Sequence, residues 1–374
     1  MAGIYIHIPF CKQACHYCDF HFSTSLRNKE ALVDAICKEI ELRKDYLNTK
    51  ELSTIYFGGG TPSLLSSADL EKIFNAIGSH FTIAQSAEIT LEANPDDLTK
   101  TKTDELKASG INRLSIGIQS FLDEHLVLMN RSHTSKQAIE AVKNAKKSGI
   151  HNMSIDLIYG LPNLSPEKWK HNLSQAFSLN VSHLSAYCLT IEKKTALNRF
   201  VENKTITLPE EPVVLEQFET LMEQAGKNGF IHYEISNFGK EGMFAKHNSN
   251  YWKSELYLGV GPSAHSYDSK SRQWNIANNA LYIKGVESGE LKFEKEELTE
   301  ANKFNEYIMT GLRTIWGIDM EHVKATFGRR IMNNLLNGTK EYMDAGYMQQ
   351  NGENVTLTQK GKFLADKIAS DLFI

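Results

Sequence analysis

Short runs of β-branched and aliphatic residues alternate along the chain with longer segments whose apolar positions recur every three to four residues. Residues 4–8, 54–57, 88–93, 113–118, 153–158 and 183–188 read as strands, and 30–43, 68–77, 102–108, 135–147 and 166–179 as amphipathic helices between them. Ser135 and Ser165 stand where helix N-caps are expected. A repeated βα order predicts an α/β protein with parallel strands and right-handed crossovers, either a doubly wound sheet or a full or partial TIM-type barrel. A helix over 210–226 leads to a strand over 231–235, after which the alternation fades across 237–279. A stretch that long without regular pattern predicts function rather than linkage. From Thr299 the pattern becomes helical over 300–315, 320–326 and 331–344. Two short strands then flank an Asn-Gly turn before a last helix, a winged-helix-like unit.

Composition narrows the picture. With 374 residues, 41% of them hydrophobic, the chain can bury a large core. Its 41 Lys and Arg against 45 Asp and Glu leave a net charge of -4, so no basic field points to a nucleic-acid partner. No run approaches the ~20 apolar residues of a membrane helix, and the first residues enter a strand pattern rather than a signal peptide, so a cytoplasmic protein is expected. Five cysteines are too few for a disulfide scaffold. Cys37 shares an apolar stripe with Leu32, Ile36 and Ile40 and is expected in the core, as is Cys188 at a strand end.

The other three, Cys11-x3-Cys15-x2-Cys18, follow the first strand directly. Three thiolates on one loop can hold three irons of a cubane and leave the fourth iron open. A zinc site completed by His16 is the competing reading. Polar residues recur at the carboxyl ends of the following strands, where α/β proteins build their sites. Gly59, Gly60 and Thr61 lie in Gly58-Gly59-Gly60-Thr61-Pro62, where backbone without Cβ atoms lets a ligand approach. Glu92 closes the third strand, Gln119 the fourth, and Asp156 lies in the fifth; Arg131 offers a fork to a carboxylate.

Together these motifs resemble the radical-SAM superfamily, and within it the HemN-like branch, over essentially the whole chain. The resemblance implies a partial (βα)6 barrel over 1–236, a connecting segment over 237–298 and a helical, winged-helix-like C-terminal domain over 299–374. It implies a [4Fe-4S] cluster on Cys11, Cys15 and Cys18, with S-adenosylmethionine (SAM) on the open iron. Tyr5 and Tyr17 would line the SAM pocket, Gly59, Gly60, Thr61 and Glu92 would hold SAM, and Gln119, Arg131 and Asp156 would complete its site.

The branch holds both oxygen-independent coproporphyrinogen III dehydrogenases and heme chaperones. The dehydrogenases continue the triad with another Cys where this chain has Phe20, and carry a long extension where only ten residues precede Cys11 here. His247-Asn248-Ser249-Asn250-Tyr251-Trp252 matches the His-Asn-x-x-Tyr-Trp motif of the chaperones, and the segment from Gly259 to Ser266 resembles its glycine-rich companion. The resemblance therefore implies heme binding, with His247 as a candidate ligand, and delivery of heme to acceptor proteins. These would be respiratory-chain proteins, met peripherally where they are membrane-bound, and an electron donor would serve the cluster. The alternative is a porphyrinogen-decarboxylating enzyme, and cleavage of SAM is left open. On residue chemistry alone, a histidine beside a Tyr-Trp pair is as readily a satisfied surface residue as a ligand.

Overall fold

The computed structural model describes residues 2–374. Strands β1 (Ala2–Ile8), β2 (Glu51–Gly59), β3 (Thr82–Ala93), β4 (Arg113–Gln119), β5 (Asn152–Tyr159) and β6 (His183–Cys188) pair in parallel in sequence order. That order is the (βα)6 partial barrel. Strand alternation gives each its two faces. In β1, Ala2, Ile4, Ile6 and Ile8 are fully buried, under the helix Lys29–Leu42, which turns Leu32, Val33, Ile36 and Ile40 inward at helical spacing. Gly3, Tyr5 and His7 take the opposite face, toward the lumen, where they meet His247, Tyr56 and Gly59.

Helix starts follow local capping chemistry. Ser165 caps the helix Pro166–Ser178, as expected. The helix Ser135–Lys147 is capped instead by Thr134, because only that residue can exchange side-chain bonds with Gln137 in a capping box.

The stretch 231–298 supplies further strands to the same sheet. β7 (Ile231–Glu234) and β8 (Asn237–Gly239) form an antiparallel hairpin on β6. On the other side β9 (Leu256–Val260) lies parallel to β1, followed by antiparallel β10 (His265–Tyr267), β11 (Ser271–Asn275) and β12 (Phe293–Glu297). The result is one 12-stranded sheet. Gly259 is required on β9, since a Cβ there would sit 1.9 Å from the His265 carbonyl oxygen.

The C-terminal unit has its own core of Phe304, Ile308, Val323, Leu335, Val355 and Ile368. A small sheet in the order β13 (Ile318–Asp319), β15 (Asn354–Leu357), β14 (Met348–Asn351) forms its wing. The helical stretch Met320–Asp344 breaks at Gly328, whose φ of 86° and ψ of 165° are non-helical, which agrees with the two separate helices expected there. Arg313 fastens this unit to the barrel with two bonds to Glu234, at 3.0 and 3.1 Å. Among the described residues, no helix is long and apolar enough to cross a membrane.

Candidate functional site

The cysteine loop leaves β1 at Pro9 and is tied down at several points. Cys11 N–H donates to Ser23 O and His16 N–H to Met129 O, each at 3.0 Å, and Lys12 pairs with Asp96 at 2.8 Å and with Asp97. The Cys11, Cys15 and Cys18 side chains are all half-buried and form no disulfide. Burial, and next the Cys15 and Cys11 thiols working against a bond from the Phe20 backbone, pushes Cys18 up to about 11. Thiolates at this spot therefore need added positive charge.

Part of that charge is Arg131, whose Nη1 donates to Cys15 Sγ at 3.2 Å and to Tyr17 Oη at 3.4 Å. Its Nη2 donates to Asn94 Oδ1 and Gly117 O, both at 2.7 Å. The expected fork toward a ligand carboxylate is thus committed to the protein. Only the buried Nε lacks a partner. His16, the residue that could complete a zinc site, has Nδ1 on Leu128 O at 2.8 Å. Among the described residues, no three His, Cys, Asp or Glu side chains converge on a point able to chelate one ion. A cubane asks each thiolate for a different iron, which three cysteines on one loop can supply.

Beside the loop, the strand ends form a buried polar cradle. Tyr56 Oη donates to Glu92 Oε1 at 2.7 Å and Gly59 N–H to Oε2 at 3.2 Å. Tyr5 stacks on Tyr56 with centroids 6.1 Å apart, and its Oη lies 3.1 Å from His7 Nδ1. Asp156 accepts from Ser115 and Ser154, each at 3.4 Å. Burial lifts Glu92 to about 7 and Asp156 to about 6. The nearest cation of the inner layer, Arg113, is held instead near Glu88, at 3.8 Å. Among the described residues neither carboxylate has an ion-pair partner of its own, and two such buried groups create a place where a bound cation is stabilised.

Gln119 closes β4 with a left-handed φ of 67°, and together with Arg131 it crowds Gly117, where a Cβ would lie 2.9 Å from Gln119 Nε2. Gly59 and Gly60 are needed for a reason other than ligand approach. A Cβ on Gly59 would lie 2.5 Å from His7 Cε1, and one on Gly60 would lie 2.7 Å from the Ile8 and Phe10 oxygens. It is Gly58 whose Cα faces Tyr5, Tyr56 and Glu92. Thr61 is buried, donates its N–H to Phe10 O at 2.7 Å and accepts from Asn94.

Tyr56, His7, Asn94 and Ser115 are cradle residues that the motif reading did not single out. The register Tyr5↔Tyr56 was the available signal for the first, since paired residues in neighbouring strands face the same side.

His247 lies at the bottom of the lumen, 2% exposed. Its Nδ1 is 2.8 Å from Thr54 Oγ1 and its Nε2 2.8 Å from Tyr251 Oη, and the ring stacks on Tyr56 at 4.9 Å. Both nitrogens are spent and burial lowers its pKa to about 3, so the neutral imidazole is a satisfied interior group and offers no free lone pair to iron. Cys37 packs partly buried against the core as expected. Cys188, at the exposed end of β6, is not a core residue.

Residues 5–176 match the Radical SAM superfamily and residues 298–364 the HemN C-terminal domain. The chain is 33% identical to the heme chaperone HemW of Bacillus subtilis over 371 residues, covering 98% of each chain. It is 36% identical to the heme chaperone HemW of Escherichia coli over 266 residues, 70% of this chain and 69% of that one. The solved structure of coproporphyrinogen III oxidase (HemN) from Escherichia coli superposes with a TM-score of 0.85 at 22% identity, covering 100% of this chain and 90% of that one. That likeness concerns the fold.

Proposed function

Because the chain belongs to the HemW family of radical-SAM proteins, we propose that it is a heme chaperone, which binds heme and passes it to an acceptor protein while carrying a [4Fe-4S] cluster and exchangeable SAM. Near full-length identity to heme chaperones is the observation that carries this reading. Phe20 supports it against the dehydrogenase alternative. It stands 68% exposed on the cysteine loop, where the dehydrogenases have a further thiol.

In this reading Cys11, Cys15 and Cys18 hold the cluster, and Arg131 offsets thiolate charge from its place on Cys15 Sγ. The Glu92 and Asp156 carboxylates receive the cationic portion of SAM, and Tyr5, Tyr17, Gly59, Gly60, Thr61 and Gln119 shape the surrounding wall. If SAM is cleaved, a cluster on Cys11, Cys15 and Cys18 would supply the one electron that the sulfonium requires. The chain's own work is to orient the ligand, exclude water and hold Glu92 by the Tyr56 hydroxyl and Gly59 N–H.

The barrel through residue 236 serves the cofactors, 237–298 carries the His-Asn-x-x-Tyr-Trp segment, and 299–374 forms the C-terminal domain. A cytoplasmic location, acceptors in the respiratory chain met at the membrane surface, and a separate electron donor complete the proposal. The test is absorbance titration of the anaerobically reconstituted protein with heme, beside an assay of coproporphyrinogen III turnover with SAM and a reductant. Saturable heme binding without turnover is expected. Turnover without heme binding would make the protein a decarboxylating enzyme.

A further inference from the structure

Two cavities flank the His-Asn-x-x-Tyr-Trp segment. One, of about 390 Å³, lies in the lumen beside Tyr56 and Glu92 and reaches His247. The other, of about 510 Å³, opens between the barrel edge and the C-terminal helix Glu300–Leu312, with Phe20 of the cysteine loop on its rim. They share Tyr5, Tyr251 and Trp252, which thus form a wall between them. The outer cavity is the aromatic one. Tyr251 meets Tyr257 edge-on at 4.6 Å and Tyr267 lies behind, with Met309 closing the side contributed by the C-terminal unit. Such a volume and lining suit a flat, largely apolar ligand. Trp252 Nε1 is buried in the shared wall without a hydrogen-bond partner.

Iron in such a ligand needs an imidazole lone pair, and hydrogen bonding together with exposure sorts the three histidines that line the outer cavity. His7 has Nδ1 near Tyr5 Oη and Nε2 on His21 O, each at 3.1 Å. His21 donates Nε2–H to Asn279 Oδ1 at 2.7 Å and keeps a lone pair on Nδ1, but its ring is half-buried and stacked against His7 at 6.3 Å. His265 is exposed to the cavity, and among the described residues neither of its ring nitrogens is hydrogen-bonded. Its ring is nevertheless held in place, stacked on Trp274 at 5.9 Å across the β10–β11 pair, with its backbone packed on Gly259.

We propose that the outer cavity is the heme seat, with His265 as the iron ligand and Tyr251 and Trp252 as the partition that separates heme from the SAM lumen. The assignment rests on the chaperone reading and deepens it. In this arrangement His247 acts at one remove, holding Tyr251 in the wall through its hydroxyl.

The test is heme titration of the full chain, anaerobically reconstituted, followed by Soret absorbance and by EPR of the ferric heme, in wild type, His265→Ala and His265→Met. His265→Ala is expected to weaken binding by about ten-fold or more. His265→Met is expected to bind heme with a changed ligand-field signature, which a merely structural role would not produce. Unchanged affinity and spectra in both variants would overturn this assignment and leave the chaperone reading standing. No saturable binding by the wild type would overturn both.

Discussion

The two cavities are built on opposite principles, although they share a wall. The inner one is polar and under electrostatic tension: Glu92 and Asp156 are buried, lifted toward neutrality, and held by hydroxyls and a backbone N–H rather than by a cation of their own. The outer one is aromatic, and the ion pair on its lining, Arg272 with Glu306 at 2.9 Å, is already closed. Desolvated carboxylates select a cation by charge, whereas an aromatic slot with a free imidazole selects by shape and by one coordinate bond. The comparison teaches that one partition can separate two unlike environments, the inner built by the barrel and the outer completed by the C-terminal unit.

The largest effect should come from the cysteine loop, which belongs to the inner side. Cys15→Ala is expected to abolish the brown chromophore of the reconstituted protein, because a three-thiolate site has none to spare, whereas Cys37→Ala should retain it. Absorbance near the cluster bands and iron analysis check this. A retained cluster in the first variant would remove the inner cavity's role.

Next comes Glu92→Gln, which should weaken SAM binding by about ten-fold or more by deleting the charge that the cradle offers. Equilibrium dialysis of SAM measures it, and heme affinity should stay within a small factor if the cavities are distinct. The same variant carries a pH signature. The folded-state pKa of Glu92 is raised from an ordinary 4.5 to about 7. Its contribution to stability is therefore fully present below about 4.5 and is lost as pH rises through about 7. Urea unfolding of SAM-free protein should show Glu92→Gln gaining on wild type between those limits, and a flat difference would deny the buried, cation-starved state of this carboxylate.

How much of this was legible in the sequence divides along the same wall. β1 to β6 follow from local periodicity, because each strand is flanked by its own amphipathic helix and the parallel order needs no distant information. The cysteine triad and Glu92 are likewise local, set at strand ends. β9 to β12 were not legible: β9 finds its place by pairing with β1, at the far end of the chain, and neither its five residues nor the three of β10 carry enough alternation to announce it. Histidine roles were the least legible. His247 sits in a conspicuous motif but is saturated, and His265 sits in a quoted segment without being singled out. Hydrogen-bond accounting distinguishes them, and that requires neighbours drawn from β2 and β11.

The smallest expected effect tests the wall itself. Tyr251→Phe keeps the ring that both cavities touch and removes only the hydroxyl that meets His247 Nε2 at 2.8 Å. Losing that bond leaves a buried imidazole nitrogen unsatisfied, at a cost of about 1–2 kcal/mol. The melting temperature should fall by a few degrees, since that free energy is spread over a large cooperative unit. Because the ring then loses its anchor but not its volume, heme and SAM affinities should drop together, each by less than about ten-fold. Loss confined to SAM would place Tyr251 in the lumen alone, and loss confined to heme would make it an outer-cavity residue. Only a paired change fits a partition held upright by His247.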